Sequence, residues 1–307
     1  MTKKLTKPIA LFFTAFTVLV AALLYFGALD ITTSAEWNGT IAEKFDGGDG
    51  SSAETACEIA NGEQLARLAQ QVNSGEAYSG KFFKLTAYID LGGNEWTPIG
   101  GSWNCFEGTF DGNGHTMSNF IINLEDGYIG LFGYNNGTIM NLGVEKAEIN
   151  GKTYIGGVCG GNYGTIEGCY NTSAVKGESV GGVCGENFGT IKNCYNTGAV
   201  KGESIVGGVC GINDGTVANC YNTGAVEGES SVGGVCGDSY STIKNCYNTG
   251  TVSGTEYVGG VCGFNYSKIQ NCYNAGTIKG ESNVGGVCGY NDLRGTIQNC
   301  YNTGTVK

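Results

Sequence analysis

Val206-Gly207-Gly208-Val209-Cys210-Gly211 is followed, ten residues on from its cysteine, by Cys220-Tyr221-Asn222, and then by Gly224-Ala225-Val226. The same three phrases recur along the second half of the 307-residue chain. The first cysteine returns as Cys159, Cys184, Cys210, Cys236, Cys262 and Cys288, at intervals of 25 or 26 residues. The second returns as Cys169, Cys194, Cys220, Cys246, Cys272 and Cys300. The spacing between the two columns is 10 except in the last repeat, where Asp292-Leu293-Arg294 lengthens the loop and it is 12.

A unit of about 26 residues holding V-G-G-V-C-G, G-T-I-K-N-C-Y-N and G-A-V-K-G reads as three short β segments. β-branched residues fill the segments, and Gly, Asn and Asp separate them. One such unit cannot bury an apolar face alone, but stacking on its neighbours can. The expectation is an all-β parallel solenoid with coils about 4.8 Å apart.

An earlier, degenerate coil fixes which way the cysteines point. Ile129-Gly130-Leu131-Phe132-Gly133 aligns with Ile155, Gly157, Val158, Cys159 and Gly160, and Leu142 follows Phe132 by ten residues. Phe132 and Leu142 therefore hold the two cysteine positions. Large apolar groups there place both columns in the core.

Residues 36–126 differ from the repeats. Glu63 to Val72 forms an amphipathic helical pattern with Leu65, Leu68, Ala69 and Val72 on one face. Strand-like stretches follow at 82–90 and 106–110. This region is expected to be an α/β cap over the open edge of the first coil, with the repeats running from 127 to 307. At the start, Lys3, Lys4 and Lys7 precede an apolar run from Ile9 to Leu29, and Thr33-Ser34-Ala35 offers a cleavage point. Residues 1–35 read as a cleaved signal peptide or a retained anchor, with the body outside the cytoplasm.

Composition narrows the function. A formal charge of −11 with 15% charged residues argues against nucleic acid and against docking on anionic lipid. Contact with a membrane is expected only through residues 9–29. A single histidine, His115, disfavours imidazole chemistry, and no H-E-x-x-H or calcium-loop pattern is present. Neither a cofactor nor a metal is expected.

The phrases G-L-F-G at 130–133 and the repeated G-G-V-C-G resemble the GLUG-motif repeats of bacterial surface and secreted proteins. The front end is similar to the segment that precedes such repeats: Trp96-Thr97-Pro98-Ile99-Gly100 and Phe110-Asp111-Gly112-Asn113-Gly114 carry that likeness. The resemblance implies a right-handed parallel β-helix on an adhesin-like extracellular protein, and it brings no catalytic set. The cysteines depart from the family, whose members mostly carry other small or apolar residues there.

Three sets of residues are candidates for function or reinforcement. The cysteines are expected to pair within coils, as Cys159–Cys169 and its equivalents, with buried thiol filler and bridges between coils as the alternatives. Tyr170, Tyr195, Tyr221, Tyr247, Tyr273 and Tyr301 each follow a core cysteine and so are expected to face outward. They form a ligand-binding column or a self-stacked stiffener. Asn196, Asn222, Asn248, Asn274 and Asn302 are expected to form hydrogen-bonded ladders. Carboxylates serving polysaccharide cleavage should break the repeat singly, and no Asp or Glu cluster stands out as doing so.

The favoured function is a non-catalytic interaction rod binding host or environmental glycans or extracellular proteins along one face, with end-to-end self-association as a further expectation. A carbohydrate-active β-helix enzyme and a structural spacer or scaffold are the alternatives.

Overall fold

The computed structural model describes residues 35–307 apart from Ser102; the signal or anchor expected over residues 1–35 lies outside them but for Ala35. Among the described residues no helix is long and apolar enough to cross a membrane.

The chain winds as a parallel β-solenoid in which residues of equal phase pair from coil to coil. Cys184 pairs with Cys210 and Cys210 with Cys236 in one sheet, while Tyr195 pairs with Tyr221 in another. Phe132 stands in register with Cys159, and Gly143, next to Leu142, with Tyr170. The alignment of the degenerate coil holds. Val206, Val209, Cys210, Val217, Cys220 and Val226 all turn inward and are buried, so each coil lays a small apolar layer on the next.

The repeat contains five short strands where three segments are expected. In one coil they are β1 (Val206–Gly207), β2 (Cys210–Asn213), β3 (Thr216–Ala218), β4 (Tyr221–Asn222) and β5 (Val226–Glu227). Two local features cut the segments. Asn219 lies at φ 55, and Asn193, Asn245 and Asn271 match it within a few degrees. Asn tolerates this left-handed conformation better than most residues, and the bend separates β3 from β4. The paired glycines cut the first segment. A Cβ on Gly207 would run into the Cys210 carbonyl, and one on Gly208 into the Gly234 carbonyl and the Asn222 amide.

The parallel ladder passes through position 126/127 without a break. Phe83 pairs with Phe110, Phe110 with Ile139 and Ile139 with Ile166, so coils already stack within the region expected to be a cap. The helix α1 (Gly62–Asn73) is the non-solenoid part. Asn61 caps it by accepting from the Gln64 N–H, and Leu65, Leu68, Ala69 and Val72 are buried. They join one core with Ile59, Leu85 and Ile89.

Three polar ladders run from coil to coil. Asn196 donates to Asn222 at 2.9 Å, Asn222 to Asn248 at 2.9 Å and Asn248 to Asn274 at 2.8 Å, all fully buried. A second buried file, which sequence reading missed, links Asn135, Asn162, Asn187 and Asn213 at 2.8–2.9 Å and ends on the Ser239 hydroxyl. A third, exposed file joins the left-handed asparagines, as in Asn219 to Asn193 at 3.1 Å. Each amide side chain satisfies the next, which lets polar groups occupy the core.

Candidate binding face: an aromatic and acidic strip

The cysteines do not form the expected within-coil bridges. All fourteen are free thiols. Cys159 lies in a strand, in register beside Cys184 of the next coil, whereas Cys169 falls in the bend between the Thr165–Glu167 and Tyr170–Asn171 strands. The second column packs along the axis, with the Cys169 N–H 3.4 Å from the Cys194 sulfur. Burial and neighbouring sulfurs push the Cys159, Cys184 and Cys210 thiols well up. Such thiols are poor nucleophiles, and in this structure they act as core filler.

The tyrosine column faces outward but does not offer its ring faces. From Tyr170 through Tyr195, Tyr221 and Tyr247 to Tyr273, successive ring centroids lie 4.9–5.0 Å apart with planes within 4–6° of parallel. Tyr301 extends the stack at 5.2 Å. Neighbouring rings cover one another, so the ladder shows edges and hydroxyls to solvent. Tyr170 directs its hydroxyl to Glu145 at 2.9 Å.

A second aromatic arrangement lies at the end of the Cys-Gly-x-Asn strands, where the repeat varies. The residue after the buried Asn or Ser is Tyr163, Phe188, Asp214, Tyr240 and Tyr266 in five successive coils. The same backbone bond places each: Phe188, Asp214 and Tyr240 donate at 2.8 Å to Asn162, Asn187 and Asn213. Tyr163 stacks on Phe188 at 4.3 Å, and Tyr240 on Tyr266 at 4.4 Å. Tyr163, Phe188 and Tyr240 are 43%, 38% and 46% exposed, whereas Tyr266 and the ladder rings from Tyr170 to Tyr273 are half-buried. The result is two aromatic pads on one face, interrupted by one carboxylate.

Acidic groups underlie the interruption. Glu186 and Asp238 occupy the third position of the Cys-Gly-x-Asn/Ser strands, are 8% and 7% exposed, and flank the coil of Ile212 and Asp214. Burial raises Glu186, and the nearby Asp214 raises it further, while the Tyr128 hydroxyl donating at 3.0 Å pulls the other way. Burial likewise raises Asp214. Asp238 is pushed up to about 6 by burial, its Oδ1 has no hydrogen-bond partner, and the Ser231 side chain opposes the shift. Here the sequence reading needs correction: carboxylates enter two variable positions of the repeat, Glu186 and Asp238 at one and Asp214 at the other, and the winding brings these three together on successive coils.

The family model for the GLUG motif matches residues 176–201, 228–253, 254–279 and 280–307. These four stretches are GLUG-motif repeats. A Gly-rich membrane protein, provisionally so named, from Evansella cellulosilytica is 45% identical over 89 residues, covering 27% of this chain and 10% of that one. Halomucin from Haloquadratum walsbyi is 33% identical over 129 residues, covering 38% of this chain and 1% of its own. The matches span a tenth or less of these curated relatives. Among solved structures, a Bacteroides ovatus protein carrying the provisional name immunoglobulin A1 protease superposes with a TM-score of 0.59 at 25% identity, over 86% of this chain and 80% of that one. That likeness bears on the fold.

Elsewhere on the GLUG rod, the remaining charged surface is self-paired or solvated. Lys201 meets Glu227 of the next coil at 3.0 Å, with both side chains more than half exposed, an arrangement worth little energy. His115 packs edge-on against Tyr88 at 4.8 Å, and burial lowers its pKa with help from Lys84.

Proposed function

We propose that this GLUG-motif chain is a non-catalytic interaction rod of the cell surface that binds extracellular glycan or protein through the aromatic and acidic strip. The observation that carries this reading is the pair of stacked pads, Tyr163–Phe188 and Tyr240–Tyr266, which put the exposed rings of Tyr163, Phe188 and Tyr240 on one face. Exposed aromatic patches of this kind mark interaction sites. The apolar run from Ile9 to Leu29 behind three lysines, and a relative named a membrane protein, support placement at the envelope. The regular tyrosine ladder serves as a stiffener.

The carbohydrate-active alternative draws on the same carboxylates. Asp238 has the raised pKa of a proton donor, but its Oδ1 is closed off from solvent, and a general acid must reach the bond it protonates. Binding without turnover is the better fit.

The test is a glycan and matrix-protein array probed with the purified chain and two triple variants. Tyr163→Ala/Phe188→Ala/Tyr240→Ala is expected to lose binding, while Tyr195→Ala/Tyr221→Ala/Tyr247→Ala keeps it. Silence of the folded parent chain across the array would overturn the reading in favour of a spacer.

A further inference from the structure

The interruption in the aromatic strip has a specific shape. Phe188, Asp214 and Tyr240 occupy the same backbone position in three consecutive coils. With coils about 4.8 Å apart, the Phe188 and Tyr240 rings are roughly 9.6 Å apart along the axis. In the neighbouring coils each such interval holds one ring, stacked at 4.3 or 4.4 Å. At Asp214 the ring is replaced by a shorter side chain, which is exposed. One flat layer is missing beyond the carboxylate, with a ring on the coil to either side.

The chemistry of the slot selects its occupant. It offers two aromatic faces and a carboxylate at the base, with Glu186 and Asp238 on the flanking coils. The segments 184–190, 210–216 and 236–242, which build this part of the strip, contain no lysine or arginine. A planar cation satisfies all three surfaces. The guanidinium group is flat and delocalised, stacks on aromatic rings, is weakly hydrated, and matches a carboxylate with two parallel hydrogen bonds. An ammonium is a compact, strongly hydrated point charge that fills a flat layer poorly.

The molecule already contains one such arrangement. Asp292 holds the same position as Asp214, donating its N–H to Asn265 at 2.9 Å, with Tyr266 one coil below as Phe188 is below Asp214. There Arg294 supplies the cation: its Nε lies 3.1 Å from Asp292 Oδ1, and its guanidinium carbon is 6.0 Å from the Tyr266 ring centroid. At Asp214 the same carboxylate and ring recur with a second ring above, and no arginine of the chain sits beside them in sequence.

We infer that the slot between Phe188 and Tyr240 receives an arginine side chain from an extended segment of a partner protein, its guanidinium paired with Asp214 and sandwiched between the two rings. This assigns a partner chemistry to the face and rests on the reading above that the strip is the binding surface. The slot is a docking point for one residue, so overall affinity comes from repetition along the partner or from several rods acting together.

The test uses two fluorescent peptides of equal charge, Gly-Arg-Gly-Arg-Gly and Gly-Lys-Gly-Lys-Gly, titrated into the whole chain by anisotropy. The arginine peptide is expected to bind about tenfold more tightly than the lysine peptide. Asp214→Tyr, which fills the layer with the ring its neighbours carry, should abolish that preference while leaving the circular dichroism spectrum and melting midpoint in place. Asp214→Asn should weaken arginine binding about tenfold, and Glu227→Gln, which removes one charge from a different face, should change nothing. Equal affinity for the two peptides, or an undiminished preference in Asp214→Tyr, overturns the inference. So does a glucosamine oligomer that binds the strip where the arginine peptide does not; in that outcome the surface reading survives and only the partner chemistry fails.

Discussion

The regular tyrosine column and the irregular strip are built from the same kind of ring on the same rod, yet they present opposite chemistry. In the column every coil supplies Tyr, so each face is covered by the next ring at about 4.9 Å. In the strip the series Tyr163, Phe188, Asp214, Tyr240, Tyr266 stops and restarts, so no ring of the series covers the inner sides of Phe188 and Tyr240 at the interruption. A perfect repeat spends its side chains on one another. In a solenoid the binding surface arises where the repeat fails.

That contrast is open to direct attack. The largest effect is expected inside the scaffold. Asn222→Ala removes the acceptor of Asn196 and the donor to Gly224 and Asn248. Leaving those buried groups unpaired should cost about 2–4 kcal/mol, read as a lower denaturant midpoint. If Asn222→Ala unfolds no sooner than the parent, the buried ladder is not what holds the coils in register.

Next comes Asp238. A carboxyl whose folded pKa lies above its unfolded value binds its proton more tightly in the folded state. It therefore destabilises nothing below the ordinary carboxylate value of 3.8, and its full penalty is present above about 6. Asp238→Asn is expected to gain roughly 1–3 kcal/mol at pH 8 and to flatten the decline in stability between pH 4 and 6. A variant with an unchanged pH profile would show that Asp238 is solvated.

Smaller effects separate the two aromatic sets. Tyr221→Ala removes stacking on both Tyr195 and Tyr247 and should cost about 1–2 kcal/mol with no change in ligand binding. Tyr240→Ala should do the reverse: its exposed ring has one stacked partner at 4.4 Å, so stability falls by less than about 1 kcal/mol while binding is lost. If both variants lose stability but keep binding, the strip is a second stiffener. The smallest effect expected is none at all. A reducing agent should leave the melting midpoint unchanged, because the core thiols are unbridged; a drop would show that coils are tied by disulfides after all.

Much of the scaffold was legible because periodicity in sequence becomes adjacency in space. Phe132 and Leu142 told the direction of both cysteine columns, and the C-Y-N phrase told the buried ladder through Asn196 and Asn222. The within-coil pairing of Cys159 with Cys169 failed because a spacing of ten residues carries no information about the bends between. The left-handed residue preceding the second cysteine, Gly168 here and Asn219 later, turns the chain and leaves that cysteine in a bend, outside the sheet that holds the first. The strip was overlooked for a different reason. Constancy is what marks a column in sequence, and Tyr163, Phe188, Asp214 and Tyr240 change from coil to coil, although the residue after each G-x-N or G-x-S collects them.

The sequence by itself determined the period, the inward columns and the stacking, since equal phase places residues on adjacent coils whatever the cross-section. Only the tertiary structure decided which phases meet across the bends. Tyr128 reaches Glu186 over 58 residues of chain, and Glu186, Asp214 and Asp238 share one face because five strands and their turns, rather than the repeat length, set the cross-section of each coil.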